Sequence, residues 1–554
     1  MDRNAFLAFA LSLLILTLWM SWESKHRPKH PPSAPAAEQM APGGASPERS
    51  APAAAARGAP AEPGPAEEGP GQEVRLENPL VDAVLSSRGA GVVRWELRRY
   101  TAPSSEGGGP VVLLQSNSGD LASFATPFAE LGGADLASAQ FRVIEHGPRS
   151  ARFESTQGGV TIRKTFTLDE DSYEFRLQLE VENHGAGPVS PDFTVVLPER
   201  VRSGSDFQNL TVAVLKQGTL DRAAVATFGK ASPIGAILGR EPERERHFEG
   251  DIDWAGAYSR YFVTALVPDA PRDAVARWFS TVPGRDATVE IARRPVAVLP
   301  GTALAREYTV YVGPKDPEQL AAAGAQLDRS IELGYRWVAP LTRAFTWMLG
   351  ACYAVIPNYG VAIIVLTVLV RLATAPLATQ QMKSMSKMRE LQPRMKDIQE
   401  RFRDDRQRQS QEMMKLYKET GVNPLGGCLP MLLQIPVFIG LYYALQTSIA
   451  LRQAPFVLWI NDLSVPETLF TLPGGLPLRL LPLLMCGSMV LQQRMTPSTM
   501  DPQQARMMMI TMPVMFTFLF YTVPSGLVLY WFVSNLLAIA QQLIINRRLN
   551  AAAA

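Results

Sequence analysis

Apolar and polar positions along the chain follow two different rules. From Val74 to about Val312, apolar residues recur at every second position. QFRVIEHG, ARFEST, VTIRKTFTL, YEFRLQLEVEN and FTVVLPE all alternate, with Gly, Pro and Asn punctuating the intervals. A period of two turns one face of each segment to a core and the other to water, which predicts a large antiparallel β-sandwich over 72–315. Beyond residue 340 the alternation gives way to apolar runs near 355–376, 425–447, 478–493, 507–522 and 524–545. About 20 apolar residues in a helix cover the ~30 Å hydrocarbon core of a bilayer, so these runs are predicted to span one. The run LRLLPLLMCGSMVL is the shortest, only ~21 Å as a helix, so whether it crosses fully is open and suits a locally thinned bilayer.

Three further segments complete the layout. Ala5–Trp22 is apolar and closes on Trp19 and Trp22, long enough for a sixth span within residues 1–23. The following MSWESK has no small-x-small cleavage pattern, which favours an uncleaved anchor over a cleaved signal peptide. Residues 24–71, rich in Pro, Ala, Gly and Glu, cannot bury a core and are expected to be a disordered linker. DPEQLAAAGAQLDRSIELGYRWV predicts an amphipathic helix over 316–340 lying in the membrane interface, with Tyr335 and Trp337 at headgroup level. In the loop 377–423, MKSMSKMRELQPRMKDIQERFR and DRQRQSQEMMKLYKETG show helical periodicity with Met and Leu on one side and charge on the other. They predict a helical hairpin joined at Asp404–Asp405 and stopped by Gly421. It is either a solvated pair or a docking surface for clients or a ribosome.

Charge sets orientation. Loop 377–423 carries an excess of Lys and Arg, 447–477 has essentially Arg452 alone, and Arg547 and Arg548 lie near the C-terminus. The positive-inside rule then places 377–423 and both termini in the cytoplasm, and the β-domain outside in a periplasm-like space. Lys25, Arg27 and Lys29 pull locally the other way; the downstream loops decide.

Over 554 residues the formal net charge is only +2, and the mean hydropathy of +0.00 averages these two regimes. No global nucleic-acid signature follows. Cys352, Cys428 and Cys486 are scattered in or beside apolar segments, without the spacing of a zinc site or a disulfide framework. The five histidines are dispersed without metal-site or paired-carboxylate spacing. No triad and no nucleotide loop occurs. The chain is therefore read as a non-enzyme with no metal and no cofactor.

One residue breaks the apolar pattern sharply. In VAIIVLTVLVRLATAP (361–376), Arg371 lies about ten residues, or ~15 Å, from the start, half the thickness of a bilayer core. A guanidinium never loses its proton, and placing one at the midplane costs ~2.5–3.5 kcal/mol even on the lenient insertion scale. It must face protein or water.

GVNPLGGCLPMLLQIPVFIGLYYAL (421–445), LRQAPFVLWINDLS (451–464) and VPSGLVLYWFVSNLLAIAQQ (523–542) resemble the YidC/Oxa/Alb family of membrane protein insertases, in its Gram-negative form. The resemblance covers roughly 335–548, with looser support from WAGAYSRYFVTALVP (254–268) and YVGPKD (311–316). It implies a polytopic bundle with a five-helix core and a hydrophilic groove open to cytoplasm and lipid but closed outside. Arg371 would be the groove arginine, the outer domain a β-supersandwich, and 377–423 the cytoplasmic hairpin. Partners would be nascent inner-membrane proteins and, from the resemblance only, the Sec translocon.

On that reading Arg371 attracts acidic client tails, because a half-buried ion pair is stronger than one in bulk water. Thr367 lies one turn before it on the same face. Gln434, Ser534, Asn535 and Gln541 are polar groups in apolar runs and are expected to line the groove, together with Tyr530 and Trp531. Interhelical hydrogen bonding is the competing account for Gln434 and Asn535. Met431, Leu432, Ile435, Val437 and Phe438, with Met515, Phe516, Phe518 and Phe520, would supply apolar client contact, and simple lipid contact is the alternative for each. Pro430, Pro436, Pro513 and Pro524 should kink helices or mark their ends. Trp531 departs from the tyrosine many relatives carry, and no long basic tail follows Arg548, so any ribosome contact is expected at the hairpin or at Gln492–Arg506. Two other functions compete. A secondary transporter could use Arg371 as an anion ligand, but no internal repeat is visible. An anchored carbohydrate enzyme would need a carboxylate pair that is not found.

Overall fold

The computed structural model describes residues 71–103, 107–117, 119–131, 135–231, 241–403, 405–420, 429–473, 475–495 and 502–553. The N-terminal anchor expected within 1–23 and the linker expected over 24–71, except Gly71, lie outside them, as do Asp404 and Gly421.

The period-two segments form strands, and every pairing between them is antiparallel. One sheet has nine strands. From edge to edge they are Thr219–Ala224, Thr211–Lys216, Ile252–Tyr258, Phe262–Pro268, Ala303–Pro314, Glu174–Asn183, Val160–Leu168, Ser150–Gln157 and Arg142–His146. A four-stranded sheet runs in order from Glu73–Glu77 to Pro110–Gln115, and another comprises Glu245–Glu249, Ala274–Phe279, Asp286–Arg293 and Val195–Arg200. The alternation is visible in Glu174–Asn183, where Phe175, Leu177, Leu179 and Val181 are buried between half-buried or exposed Arg176, Gln178 and Glu180. All three sheets contribute to one apolar core, with Trp95, Trp254 and Trp278 among its largest buried side chains. Two titratable groups are buried in this domain. Lys164 donates to the carbonyls of Gly89 and Phe124 at 3.1 and 3.0 Å, and burial pushes its ammonium well down. Burial pushes the Glu199 carboxyl up to about 7 against the opposing pull of Arg202.

The amphipathic helix expected over 316–340 is not one helix. Asp316 caps α1 (Pro317–Ala323) through the amides of Glu318 and Gln319, and Gly324 ends it at φ 74°. A single 3-10 turn follows at Leu327–Ser330, and Gly334 takes φ 80° against the ring of Tyr443, where no side chain fits. The continuous helix begins later, as α2 (Ala339–Val355), with Pro340 in its first turn. Trp337 is largely exposed and stacks on Tyr335 with centroids 6.1 Å apart.

The apolar runs and the charged loop between the first two of them are helices: α3 (Tyr359–Glu390), α4 (Gln392–Arg401), α5 (Arg406–Thr420), α6 (Leu429–Thr447), α7 (Leu480–Met495), α8 (Pro502–Phe520) and α9 (Ser525–Ala553). Among the described residues, two segments are long and apolar enough to cross a membrane, Tyr359–Gln380 and Ser525–Arg547, and Met509–Phe520 is a shorter apolar helix. Pro376, Pro436 and Pro513 lie inside helices, while Pro524 precedes the start of α9. α3 continues past Pro376 into the expected hairpin, whose first helix is therefore split at Leu391, just before Pro393. α4 packs on α5, burying Met395 and Leu416.

Packing orders the helices as an arc. α6 lies on α2, α2 on α3, α3 on α9, α9 on α7, and α7 on α8. α2 reaches α6 where Gly440 lets Leu341 and Phe345 approach; an added Cβ would lie 3.2 Å from Leu341 Cγ. At its other end Tyr353 stacks on Tyr359 at the start of α3, with centroids 3.9 Å apart. α2 therefore bridges the C-terminal end of α6 and the N-terminal end of α3.

The segment after α6 docks on the β-domain. Ile449 joins the sandwich core. Arg452 pairs with Asp206 through Nε–Oδ1 and Nη2–Oδ2, both at 2.6 Å, with the two side chains only 5% and 2% exposed. Gln453 donates to the carbonyl of Thr101 at 2.8 Å, and Arg260 Nε to that of Gln446 at 2.9 Å.

Two predictions follow from these burials. Asp206→Asn leaves the Arg452 charge buried without its partner and should cost ~3–5 kcal/mol, read as a lower thermal midpoint, with partial recovery in the Asp206→Asn/Arg452→Met double variant. The folded state holds the Glu199 proton to about 7 against an ordinary 4.5. Its contribution is complete below about 4.5 and lost as pH rises through about 7. The midpoint advantage of Glu199→Gln over wild type should therefore grow across that window in thermal melts.

Candidate functional site

Arg371 stands on α3 as the one cation in the run 361–376. It is half-buried, and its Nε donates to Ser534 Oγ on α9 at 2.9 Å. No carboxylate among the described residues pairs with it. One turn earlier on α9, which puts it on the same face, the hydroxyl of Tyr530 accepts from Gln434 Nε2 of α6 at 3.1 Å. Two turns after Ser534, Gln541 Nε2 donates to the carbonyl of Ala375 at 3.2 Å and to Thr379 Oγ1 at 3.4 Å. Contacts on the two helices advance together, 371 with 534 and then 375 and 379 with 541, so α3 and α9 run parallel. These bonds form one polar seam through apolar helices, with a single fixed charge in it.

Of the residues singled out in the sequence, the structure brings Arg371, Gln434, Tyr530, Ser534 and Gln541 into this seam. Thr367 is fully buried, and its hydroxyl donates to the carbonyl of Ile363 in its own helix at 2.6 Å. Asn535 is also buried and turns the other way, donating to Ser488 Oγ of α7 at 3.1 Å. That contact is the interhelical hydrogen bond that competes with the groove for this residue. Ser488 and Thr379 had gone unnoticed. Ser488 carried a usable signal, a hydroxyl in the otherwise apolar LRLLPLLMCGSMVL. Thr379 lies two turns beyond Arg371, on its helical face.

Trp531 closes the arc of helices. Its ring centroid lies 5.1 Å from Phe438 on α6 and 5.6 and 5.1 Å from Phe516 and Phe520 on α8. Phe438, Phe516 and Phe520 are thus engaged with each other and with Trp531. Met515 and Phe518 point away and are exposed, Phe518 to 83%, and Ile435 is partly exposed. Val437 packs beside the helical core. The side chains of Met431 and Leu432 lie outside the described residues.

What this arrangement can do chemically is limited. A guanidinium offers donors only, the seam holds no acid, base or nucleophile suited to bond-making, and no group of ligands able to hold a metal occurs among the described residues. The site can bind and orient an acceptor or an anion.

Two family models match the chain: the YidC periplasmic domain over residues 73–348 and the 60Kd inner membrane protein over residues 351–552. A membrane protein insertase YidC of Pelobacter propionicus is 34% identical over 99% of this chain and 100% of its own length. One of Geobacter sp. (strain M21) is 34% identical over 86% of each chain, and one of Nitratidesulfovibrio vulgaris 34% over 99% of each. A crystal structure of an active YidC insertase is similar at 18% identity and a TM-score of 0.34, covering 85% of this chain and 93% of its own. The architecture is that of a β-domain carried on a helical membrane-type core whose polar seam holds the half-buried Arg371. The chain belongs to the family of YidC membrane protein insertases, which are not enzymes.

Removing parts of the seam should show its order of importance. Tyr530→Phe deletes one neutral acceptor and should cost ~1 kcal/mol, whereas Ser534→Ala strips the charged Arg371 of its partner and should cost nearer ~2 kcal/mol. Thermal unfolding in detergent micelles measures both.

Proposed function

We propose that this protein inserts proteins into the bacterial inner membrane and helps them fold there, without nucleotide hydrolysis. The observation that carries the reading is Arg371, a permanent cation half-buried among apolar helices with one hydroxyl and, among the described residues, no carboxylate as partner. Such a site attracts an incoming acidic segment, because opposite charges interact more strongly where the local dielectric is low. Arg371, Gln434, Tyr530, Ser534 and Gln541 line a hydrophilic groove, and Trp531 with Phe438, Phe516 and Phe520 forms its apolar wall. Ile435, Met515 and Phe518 offer apolar surface to the client segment as it leaves toward lipid.

The topology that goes with this function has six spans. They are the N-terminal anchor within 1–23, α3 as far as Gln380, α6, α7, α8 and α9, with α2 along the outer interface. The β-domain is periplasmic, and the α4–α5 hairpin and both termini are cytoplasmic. Short clients pass through the protein alone and longer ones beside the Sec translocon, and the hairpin is the surface for clients or the ribosome. The parallel run of α3 and α9 supports an odd number of crossings between those helices, as α6, α7 and α8 would provide.

The test is insertion of a short single-span client with an acidic tail into liposomes holding the purified protein, scored by protease protection. Arg371→Ala should lower insertion by about tenfold, the equivalent of ~1.4 kcal/mol. Arg371→Lys should recover part of the loss, and neutralising the client's tail should remove the difference between wild type and Arg371→Ala. Equal insertion by wild type and Arg371→Ala means the arginine is structural and thinning of the bilayer carries the step. Absence of insertion by wild type ends the insertase reading and restores that of a transporter with Arg371 as anion ligand.

A further inference from the structure

A cluster of buried cations lies where the β-domain meets the C-terminal end of α6. Asn209, Tyr258, Ser259, Arg260, Lys315, Glu332, Tyr443, Gln446 and Thr447 line a small cavity there that opens to solvent. Its two central cations are buried, Arg260 at 6% and Lys315 at 2% exposure. Neither forms an ion pair within the described residues. Lys315 Nζ donates to the carbonyl of Ser259 at 3.1 Å and lies 4.5 Å from the ring centroid of Tyr258. Arg260 places Nε on the carbonyl of Gln446 at 2.9 Å, and its buried Nη2 has no partner, nor has the buried hydroxyl of Ser259. The lone carboxylate of the cavity, Glu332, is already engaged by Arg222 Nη1 at 3.0 Å and by the hydroxyl of Tyr258 at 3.4 Å.

Two buried cations and a third at the rim against one carboxylate leave the cavity with excess positive charge. Unpaired buried charge costs several kcal/mol, and donors without acceptors add to that cost. A ligand that offsets both must be anionic and must carry several acceptor oxygens, because ammonium and guanidinium groups only donate. Tetrahedral oxyanions meet both conditions. Burial brings the Lys315 ammonium down to about 8, with Glu332 opposing, so the group still carries its proton at neutral pH.

We propose that this cavity is a binding site for a phosphate group, either that of an anionic phospholipid headgroup or free phosphate. The lipid source rests on the membrane topology proposed above, in which the C-terminal end of α6 reaches the outer bilayer surface. A bound phosphate would bridge Arg260 of the β-domain to Lys315 and the end of α6, and so tie the domain to the helix that bears Gln434.

The experiment uses the full-length protein, stripped of lipid in a neutral detergent and held in chloride buffer at constant ionic strength. Its thermal midpoint is followed during titration with inorganic phosphate and, separately, with short-chain phosphatidylglycerol; diacylglycerol of the same chains is the control. A saturable rise of a few degrees is expected from a phosphate-bearing ligand and none from diacylglycerol. A response to both ligands identifies the bare anion as sufficient; a response to phosphatidylglycerol alone identifies the headgroup. Lys315→Gln should weaken the response by about tenfold or more, the worth of a charge-assisted contact. If Lys315→Gln does not fold, Ser259→Ala decides, since it keeps both cations and removes a single hydroxyl: a several-fold loss supports the site and an unchanged titration overturns it. No response in wild type, or an equal response in Lys315→Gln, overturns the proposal and leaves water as the occupant. Because binding rather than insertion is read, this outcome is independent of the insertase test.

Discussion

A guanidinium keeps its proton in any environment, so helix α3 cannot be packed among apolar neighbours without carrying a charge into them. The rest of the helical core accommodates that constraint. α9 runs parallel to α3 and supplies Ser534 to the charge and Gln541 to the backbone one turn further on. α6 joins on the same face of α9, where Gln434 donates to the hydroxyl of Tyr530. A seam with no carboxylate in it is costly to bury, and the apolar packing of Phe345, Leu349, Leu366, Leu441 and Leu527 around it must offset the cost.

The β-domain is not an independent appendage of that core. Ile449 sits in the sandwich core, and Arg452 forms a two-pronged, fully buried pair with Asp206. Both follow α6 directly, so the helix that offers Gln434 and Phe438 at one end is held by the sandwich at the other. Pairing through two atoms of each group also fixes orientation, because a bidentate carboxylate–guanidinium contact tolerates little rotation. α2 adds a second brace by resting on α6 at Gly440 and on α3 through Tyr353 and Tyr359. The ends of α3 and α6 are thereby held together, while their far ends continue toward the hairpin.

Trp531 closes the arc of helices by joining its two ends. With Phe438, Phe516 and Phe520 around it, one indole links α9, α6 and α8. Aromatic contacts of this kind are individually weak, of order 0.5–1.5 kcal/mol beyond their buried area.

Much of this was legible in the order of residues. Alternation marks a strand because successive side chains leave a strand on opposite faces, so the sandwich could be read from segments such as Glu174–Asn183 without knowing their partners. A lone arginine in VAIIVLTVLVRLATAP announces itself because nothing local can neutralise it, and length and hydropathy located the helices of the core. Sequence also misled where the stop signals were glycines: Gly324 and Gly334 break what the spacing of apolar residues presents as one helix, and the continuous element begins only at Ala339. What the tertiary structure alone decided was which polar residues meet. Ser534 and Asn535 are neighbours in sequence and both polar, yet the ~100° turn between adjacent helical positions sends one to Arg371 and the other to Ser488 on a different helix. Asp206 and Arg452, or Arg260 and Lys315, share no local pattern at all. They come together because strands and loops remote in the chain converge on the end of α6, and such contacts are set by packing between elements, which local periodicity does not encode.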